Sequence, residues 1–363
     1  MSAQDDRPVV LCVFGAGASF DSNAAGLEQY PYQPPLTEEL FSRSEFATYR
    51  TEFRALSGIT QQLLQLPDGV TIEQRLAKLY ESSRAYQPAA RELASVAFYL
   101  RRVLYSCGET ALSRASRNTT YAELIRRVDE WAAAEGRLVC IVTFNYDTLI
   151  EAALQDMGLP IAAMDDYISS TRSWHLLKLH GSWNWVREID DTRYQRTSEP
   201  NGPRISDEKL IDDYHDLGLS TRFHIRGTNP GGVESNYVEV GDVYLPAFPG
   251  LALPLTNKTE FVCPHEHVED LRLFIPRVTQ VISIGWHAQE HHFLRELALI
   301  KAPSTPTLVV TRSMDGAVSV QRNLEQVGGI KGPFRLYEGG FSAFLRGGTQ
   351  LESFLAGDSS DVR

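Results

Sequence analysis

The sequence predicts an α/β fold in which a parallel sheet is covered by helices and interrupted by two insertions. Three observations carry this. Four short apolar runs, Val9–Phe14, Leu138–Phe144, Val281–Gly285 and Thr307–Thr311, are rich in β-branched residues and show almost no polar alternation. Strands buried on both faces of a parallel sheet read this way. More than a hundred residues of helical character separate the first two runs, and the composition turns polar and charged between Arg187 and Asp242.

After the first strand, Leu36–Phe41 reads as helix. Thr71–Glu81 and Ala89–Leu104 follow with apolar side chains at spacings of three and four. Thr71 stands three residues before Gln74, the capping-box spacing of a helix start. Residues 46–135 are too long for a simple crossover and are predicted to form a helical lobe inserted in a single domain spanning 1–363. The polar stretch 187–242, with the breakers Asn229-Pro-Gly-Gly232, is expected to be mostly loops with a short hairpin or helix, closer to a lid than to a domain. Beyond Val281 the chain returns to strand and helix, with helices expected at Glu290–Lys301 and Val318–Val327.

The chain has 363 residues, 43% of them hydrophobic and 22% charged, which suits a globular protein with a sizeable core and excludes disordered and rod-like classes. Its 35 basic and 46 acidic residues leave a formal net charge of −11, so polyanions are poor partners and no direct nucleic-acid binding is expected. Cys12, Cys107, Cys140 and Cys263 are far apart, which leaves no CxxC knuckle for zinc and suggests reduced thiols in a cytoplasmic protein. The N-terminus lacks the basic and apolar regions of a secretory signal, and the uncharged stretch Val243–Asn257 is broken by three prolines, so no membrane span is expected.

The chemistry-bearing residues cluster at strand ends, where open α/β sheets hold their ligands. Phe14-Gly15-Ala16-Gly17-Ala18-Ser19 closes the first strand, and its glycines either admit a pyrophosphate to the backbone or only make a tight strand-to-helix turn. Phe20 occupies the third glycine position of GxGxxG, and no acid-tipped second strand follows, so hydride transfer is disfavoured. In Thr143-Phe-Asn145-Tyr-Asp147, Asn145 is suited to fix a sugar hydroxyl or a water, whereas Asp147 suits either a ligand or the start of the next helix. His180 tips a third strand and is followed by Gly181; neutral imidazole is poised to take a proton near pH 7, although strand-end histidines are also commonly structural. Trp183 and Trp185 wall a pocket or simply pack. The group Cys263, His265 and His267 offers too few ligands for zinc, and His287, His291 and His292 suit solvated or capping roles.

Taken together and in this order, the segments 15–19, 143–147 and 180–181 resemble the sirtuin family of NAD-consuming enzymes. Ile282-Ser-Ile-Gly285-Trp286-His and Leu308-Val-Val-Thr311-Arg312 look like the two later strands that hold the adenosine half in that family. The resemblance implies a Rossmann-like sheet of the sirtuin/DHS type. It also implies that Gly15, Ala16, Gly17 and Ser19 face the NAD phosphates, and that Gly285, Trp286 and Thr311 lie along the cofactor. Asn145 would hold the ribose or the attacking water, Asp147 the nicotinamide carboxamide, and His180 would be the base. Phe144 and Tyr146 depart from the Gln and Ile of the family's TQNID.

The zinc ribbon and the GIPDFR-type segment of the deacylating members are missing; Phe20-Asp-Ser-Asn-Ala-Ala-Gly26 stands in place of the latter. The chain therefore looks like the divergent SIR2-like branch of bacterial anti-phage systems, whose members hydrolyse NAD. That likeness implies an NAD+ glycohydrolase acting in abortive infection, with no metal cofactor, restrained by homo-oligomerisation or by a partner such as a HerA-like ATPase. A protein deacylase or ADP-ribosyltransferase is the first alternative, and a non-catalytic NAD or ADP-ribose sensor the second.

Overall fold

The computed structural model describes residues 6–22, 33–114, 119–168, 173–198, 205–226, 236–256 and 260–357. Ten strands are present among them: β1 (Val9–Phe14), β2 (Leu138–Thr143), β3 (Trp174–Lys178), β4 (Gly181–Ile189), β5 (Leu219–Ile225), β6 (Tyr237–Val240), β7 (Val243–Leu251), β8 (Val278–Ile284), β9 (Thr307–Val310) and β10 (Phe334–Tyr337). Six form a sheet of order β10-β9-β8-β1-β2-β3, with every pairing parallel. The α/β class read from the apolar runs is the class observed.

β1 lies inside that sheet, paired with β2 from Val9↔Leu138 to Phe14↔Thr143 and with β8 on its other side. Its side chains alternate between two cores, as strand geometry requires. Val10, Cys12 and Phe14 pack against helices Thr120–Ala134, Leu149–Asp156 and the C-terminal pair Phe341–Arg346 and Gln350–Leu355. Val9, Leu11 and Val13 pack against helices His265–Phe274, His291–Leu297 and Met314–Gln326. From β1 the chain runs through β2 to β3 on one side and through β8, β9 and β10 on the other, so the strand order reverses between β1 and β8. Crevices in doubly wound sheets open at such a switch point, beyond the carboxyl ends of the strands.

A third core lies away from the sheet and joins the helices Leu56–Leu64, Ile72–Ser83 and Gln87–Arg114 to Trp183, Ile189, Phe248 and Leu251 of β4 and β7. The predicted start at Thr71 is seen: its hydroxyl accepts from Gln74 N at 3.2 Å while Gln74 Oε1 accepts from Thr71 N at 3.1 Å. Helix Thr120–Ala134, by contrast, packs on the parallel sheet.

The polar stretch is more ordered than its composition suggests. β4, β5, β6 and β7 form an antiparallel sheet of order β5-β4-β7-β6; β5 and β6 lie within 187–242 together with the short helix Asp207–Asp213 that the reading allowed, while β4 and β7 largely flank the stretch. Two irregularities conceal these strands from periodicity. The β4 pairing with β7 shifts register between Gly181 and Val186, and β7 contains Pro246 and Pro249, residues that ordinarily argue against a strand. Leu36–Phe41 contains only a short 3-10 turn over Thr37–Glu39. β10, a half-buried four-residue strand, had no apolar run to announce it. The breakers at 229–232 and residues 23–26 lie outside the described residues. No helix among the described residues is long and apolar enough to cross a membrane.

Candidate functional site

Three strand ends and the start of a loop meet at the carboxyl edge of the parallel sheet. At the end of β1, Gly15 donates its N–H to Ile284 O at 3.1 Å and Gly17 donates to Gly285 O at 3.0 Å. A Cβ on Gly15 would stand 2.6 Å from Gly285 O, and one on Gly285, whose φ is +59°, would stand 2.1 Å from Ala18 N. These glycines therefore lock the β1 turn against the β8 loop, backbone on backbone. Of the four residues expected along the phosphates, Ala16 is exposed and Gly17 half-buried, while Gly15 and Ser19 are buried.

Asn145 is bound directly to this turn. Its backbone N–H donates to Thr143 Oγ1 at 3.1 Å, and its side-chain Nδ2 donates to Gly15 O at 2.8 Å and to Ser19 Oγ at 2.8 Å. Tyr121 OH stands 3.2 Å from the same nitrogen and 3.0 Å from Ser19 Oγ. The Gly15 carbonyl can only accept, so it sets which end of the amide faces the turn. Oδ1 makes no hydrogen bond among the described residues and is the end left for a hydroxyl or water donor. Burial, aided by the charge of Asp147, pushes the Tyr121 hydroxyl well above the usual phenol range, so it stays protonated beside the amide.

Asp147 is buried and its Oδ1 accepts from Leu149 N at 3.1 Å, so the carboxylate serves the start of helix Leu149–Asp156. Its backbone carbonyl receives Lys178 Nζ, which also pairs with Glu151 Oε1 at 2.8 Å. The Lys178 side chain is only 1% exposed. Tyr167 OH donates to Glu151 Oε1 at 3.0 Å and accepts from Trp185 Nε1 at 3.0 Å, extending the network into β4.

His180 is buried between the residues flanking Asn145: its ring lies 4.9 Å from Phe144 and 6.4 Å from Tyr146, nearly parallel to the latter at 26°. Gly181 turns the chain with a φ of +75°, where a Cβ would meet Gly250 O at 2.1 Å. Phe144 stacks in turn on Trp286 at 5.6 Å. The structure thus joins Gly15, Gly17, Ser19, Asn145, His180, Gly285 and Trp286 through one continuous set of contacts. Trp286 is 2% exposed and its Nε1 donates to Glu290 Oε2, so the ring is part of the floor beneath the edge. Thr311 follows β9, one strand further out, with its hydroxyl committed to Ser313 O at 2.7 Å.

Sequence reasoning missed Tyr121, Lys178 and Glu151. A lysine inside an apolar strand was the available signal for Lys178; no local pattern marks Tyr121. Arg312, exposed at the end of β9, stands over the Phe20 ring at 4.7 Å and puts a cation beside the turn. Cys263, His265 and His267 do not converge: His265 is exposed toward Glu269, whereas His267 is buried near the rings of Tyr167 and Trp185. Among the described residues no group of three or more His, Cys, Asp or Glu side chains could hold a metal ion.

The chain is similar in structure to a Sir2 homologue in complex with NAD, at 12% identity and a TM-score of 0.41, covering 96% of this chain and 88% of that one. A variant Sir2 homologue with 2′-O-acetyl-ADP-ribose matches at 12% identity and a TM-score of 0.37, over 98% and 95% of the two chains. Sir2 in complex with the inhibitor EX-527, 2′-O-acetyl-ADP-ribose and a deacetylated p53 peptide matches at 10% identity and a TM-score of 0.38, over 95% and 94%. No curated protein matches the chain in sequence. Residues 139–206, which carry Thr143, Asn145, Asp147 and His180, match the family described as the SIR2-like domain.

Proposed function

We propose that this chain is an NAD+ glycohydrolase that releases nicotinamide and ADP-ribose and depletes NAD in prokaryotic anti-phage defence. One observation carries the reading: the Asn145 carboxamide is fixed by Gly15 and Ser19 at the β1 turn while His180 packs on its two chain neighbours. The donor set suits a ribose beside a pyrophosphate. Ala16 offers its backbone N–H to the phosphates beside Gly17, whose own N–H is held by Gly285 O; Asn145 Oδ1 accepts from a ribose hydroxyl or the attacking water, and the Asp147 region faces the nicotinamide carboxamide.

In this reading water adds to the ribose C1′ as the bond to nicotinamide breaks, and the electron pair leaves with the ring, which goes from cation to neutral. No general acid is needed, unlike ordinary glycoside cleavage. His180 takes the proton from water, directly or through a ribose hydroxyl, and oriented dipoles stabilise the oxocarbenium-like transition state. The chain acts as one catalytic unit over 1–363, with residues 46–135 and 187–242 as insertions. Gly285, Trp286 and Thr311 flank the adenosine half. Self-assembly into a homo-oligomer or a HerA-like ATPase partner holds the activity in check.

The test is an NAD consumption assay with product analysis on the wild type, Asn145→Ala and His180→Ala. Both variants are expected to fold and to release no nicotinamide. A folded His180→Ala protein with near-normal turnover would remove the proposed base. A modified polypeptide among the products would replace hydrolysis with transfer, and nucleotide binding without nicotinamide release under any activating condition would leave a sensor.

A further inference from the structure

We infer that the Tyr121 hydroxyl is a positioning residue that fixes the orientation of the Asn145 carboxamide; the inference rests on the role given above to Asn145. Tyr121 comes from helix Thr120–Ala134, more than a hundred residues from the glycine turn and outside every strand-end motif. Its ring is fully buried and clamped edge-on by Phe14 at 5.2 Å and Phe341 at 5.3 Å, so the hydroxyl has little freedom to wander. That oxygen closes a triangle with Ser19 Oγ at 3.0 Å and Asn145 Nδ2 at 3.2 Å.

The triangle matters because an amide can turn over with little change of shape. Nδ2 faces one carbonyl and two hydroxyls. The carbonyl opposes a turned-over amide, but a free serine hydroxyl would rotate and donate to Oδ1, favouring it. With Ser19 donating its proton to Tyr121, one of the two directions the 3.0 Å contact allows, Ser19 Oγ is left only to accept from Nδ2, and Oδ1 stays directed away from the turn. The helix start is itself anchored beside that turn: Thr120 N donates to Ser22 O at 3.1 Å, and Asp21 accepts from Ser342 N at 3.0 Å. Tyr121 therefore links the sheet-packing helix to the proposed reacting edge through a single polar atom.

Tyr121→Phe removes that atom and keeps the ring. With nicotinamide release as the readout, kcat is expected to fall about tenfold, the loss of one hydrogen bond's worth of orientation, while KM stays within about twofold. Ser19→Ala added to Tyr121→Phe is expected to lose less than the product of the two single effects, because both act on one amide. A second readout does not need turnover: in protein labelled with 15N-asparagine, the side-chain amide pair assigned by its disappearance in Asn145→Ala should shift in Tyr121→Phe. A wild type without NAD cleavage refutes the proposed function and leaves this second readout standing. Unchanged kcat in an active enzyme, an unmoved amide pair, or a Tyr121→Phe chain that fails to fold or loses kcat, KM and thermal stability together would each overturn the proposal.

Discussion

Gly285→Ala tests whether the edge is built by backbone packing, and Gly136→Ala supplies its control. Both glycines have left-handed φ, +59° at Gly285 and +62° at Gly136, so an alanine at either is strained by about 1–2 kcal/mol. At Gly136 nothing lies within 4 Å of the added Cβ, and the cost stops there. At Gly285 the Cβ would meet Ala18 N at 2.1 Å, Gly17 C at 2.5 Å and Gly17 Cα at 2.9 Å, all backbone atoms. Ordinary contact begins at 3.4 Å, so the glycine turn must retreat by 3.4 − 2.1 = 1.3 Å or the β8 loop must move as far. Overpacking of this kind adds about 1–3 kcal/mol, giving a total of about 2–5 kcal/mol for Gly285→Ala. Gly15 O and Ser19 Oγ, which hold Asn145, ride on that turn. Misplacement of a reacting group by about 1 Å costs about a hundredfold in rate, so nicotinamide release should fall at least that far. Urea unfolding and an NAD consumption assay read the two effects. If Gly285→Ala were as stable and as active as Gly136→Ala, the interlocked turn would not be what shapes the site.

Lys178→Met should destabilise the protein by about 3–5 kcal/mol in chemical unfolding, because it strands Glu151 in a buried setting and releases the Asp147 carbonyl; adding Glu151→Gln should restore part of the loss. His267 is fully enclosed, neither of its ring nitrogens makes a hydrogen bond among the described residues, and burial pushes its imidazole down to about 3. Since the folded-state value lies below the unfolded one near 6.5, its contribution is complete above about pH 6.5 and lost progressively as pH falls toward about 3. His267→Phe should flatten that part of the stability profile, and a wild-type acid limb unchanged by the substitution would refute the assignment.

Much of the parallel sheet was legible because burial on both faces leaves a local mark. Val9–Phe14 is apolar at every position and corresponds residue for residue to β1, and Leu138, Val281 and Thr307 each fall in an observed strand. The helix start at Thr71 was legible for the same reason, since its cap closes within four residues. The antiparallel sheet was not, because β4 carries a register shift and β7 carries prolines that local reading treats as breaks. In the site, Asn145 and His180 were legible as polar residues where strands run out. Asp147 was legible only as two alternatives, of which the structure displays the capping contact to Leu149.

The sequence by itself determined the inner strands of the parallel sheet and the polar residues that tip them, since both follow from side chains interacting with their immediate neighbours and with the sheet as a whole. Only the tertiary structure decided what surrounds them. That Gly17 N–H serves Gly285, that Tyr121 reaches Asn145 and that Lys178 holds Asp147 are pairings between residues 24 to 268 positions apart. Such contacts leave no periodic trace, because each depends on a distance and a direction that exist only once β1, β2, β3 and β8 stand side by side.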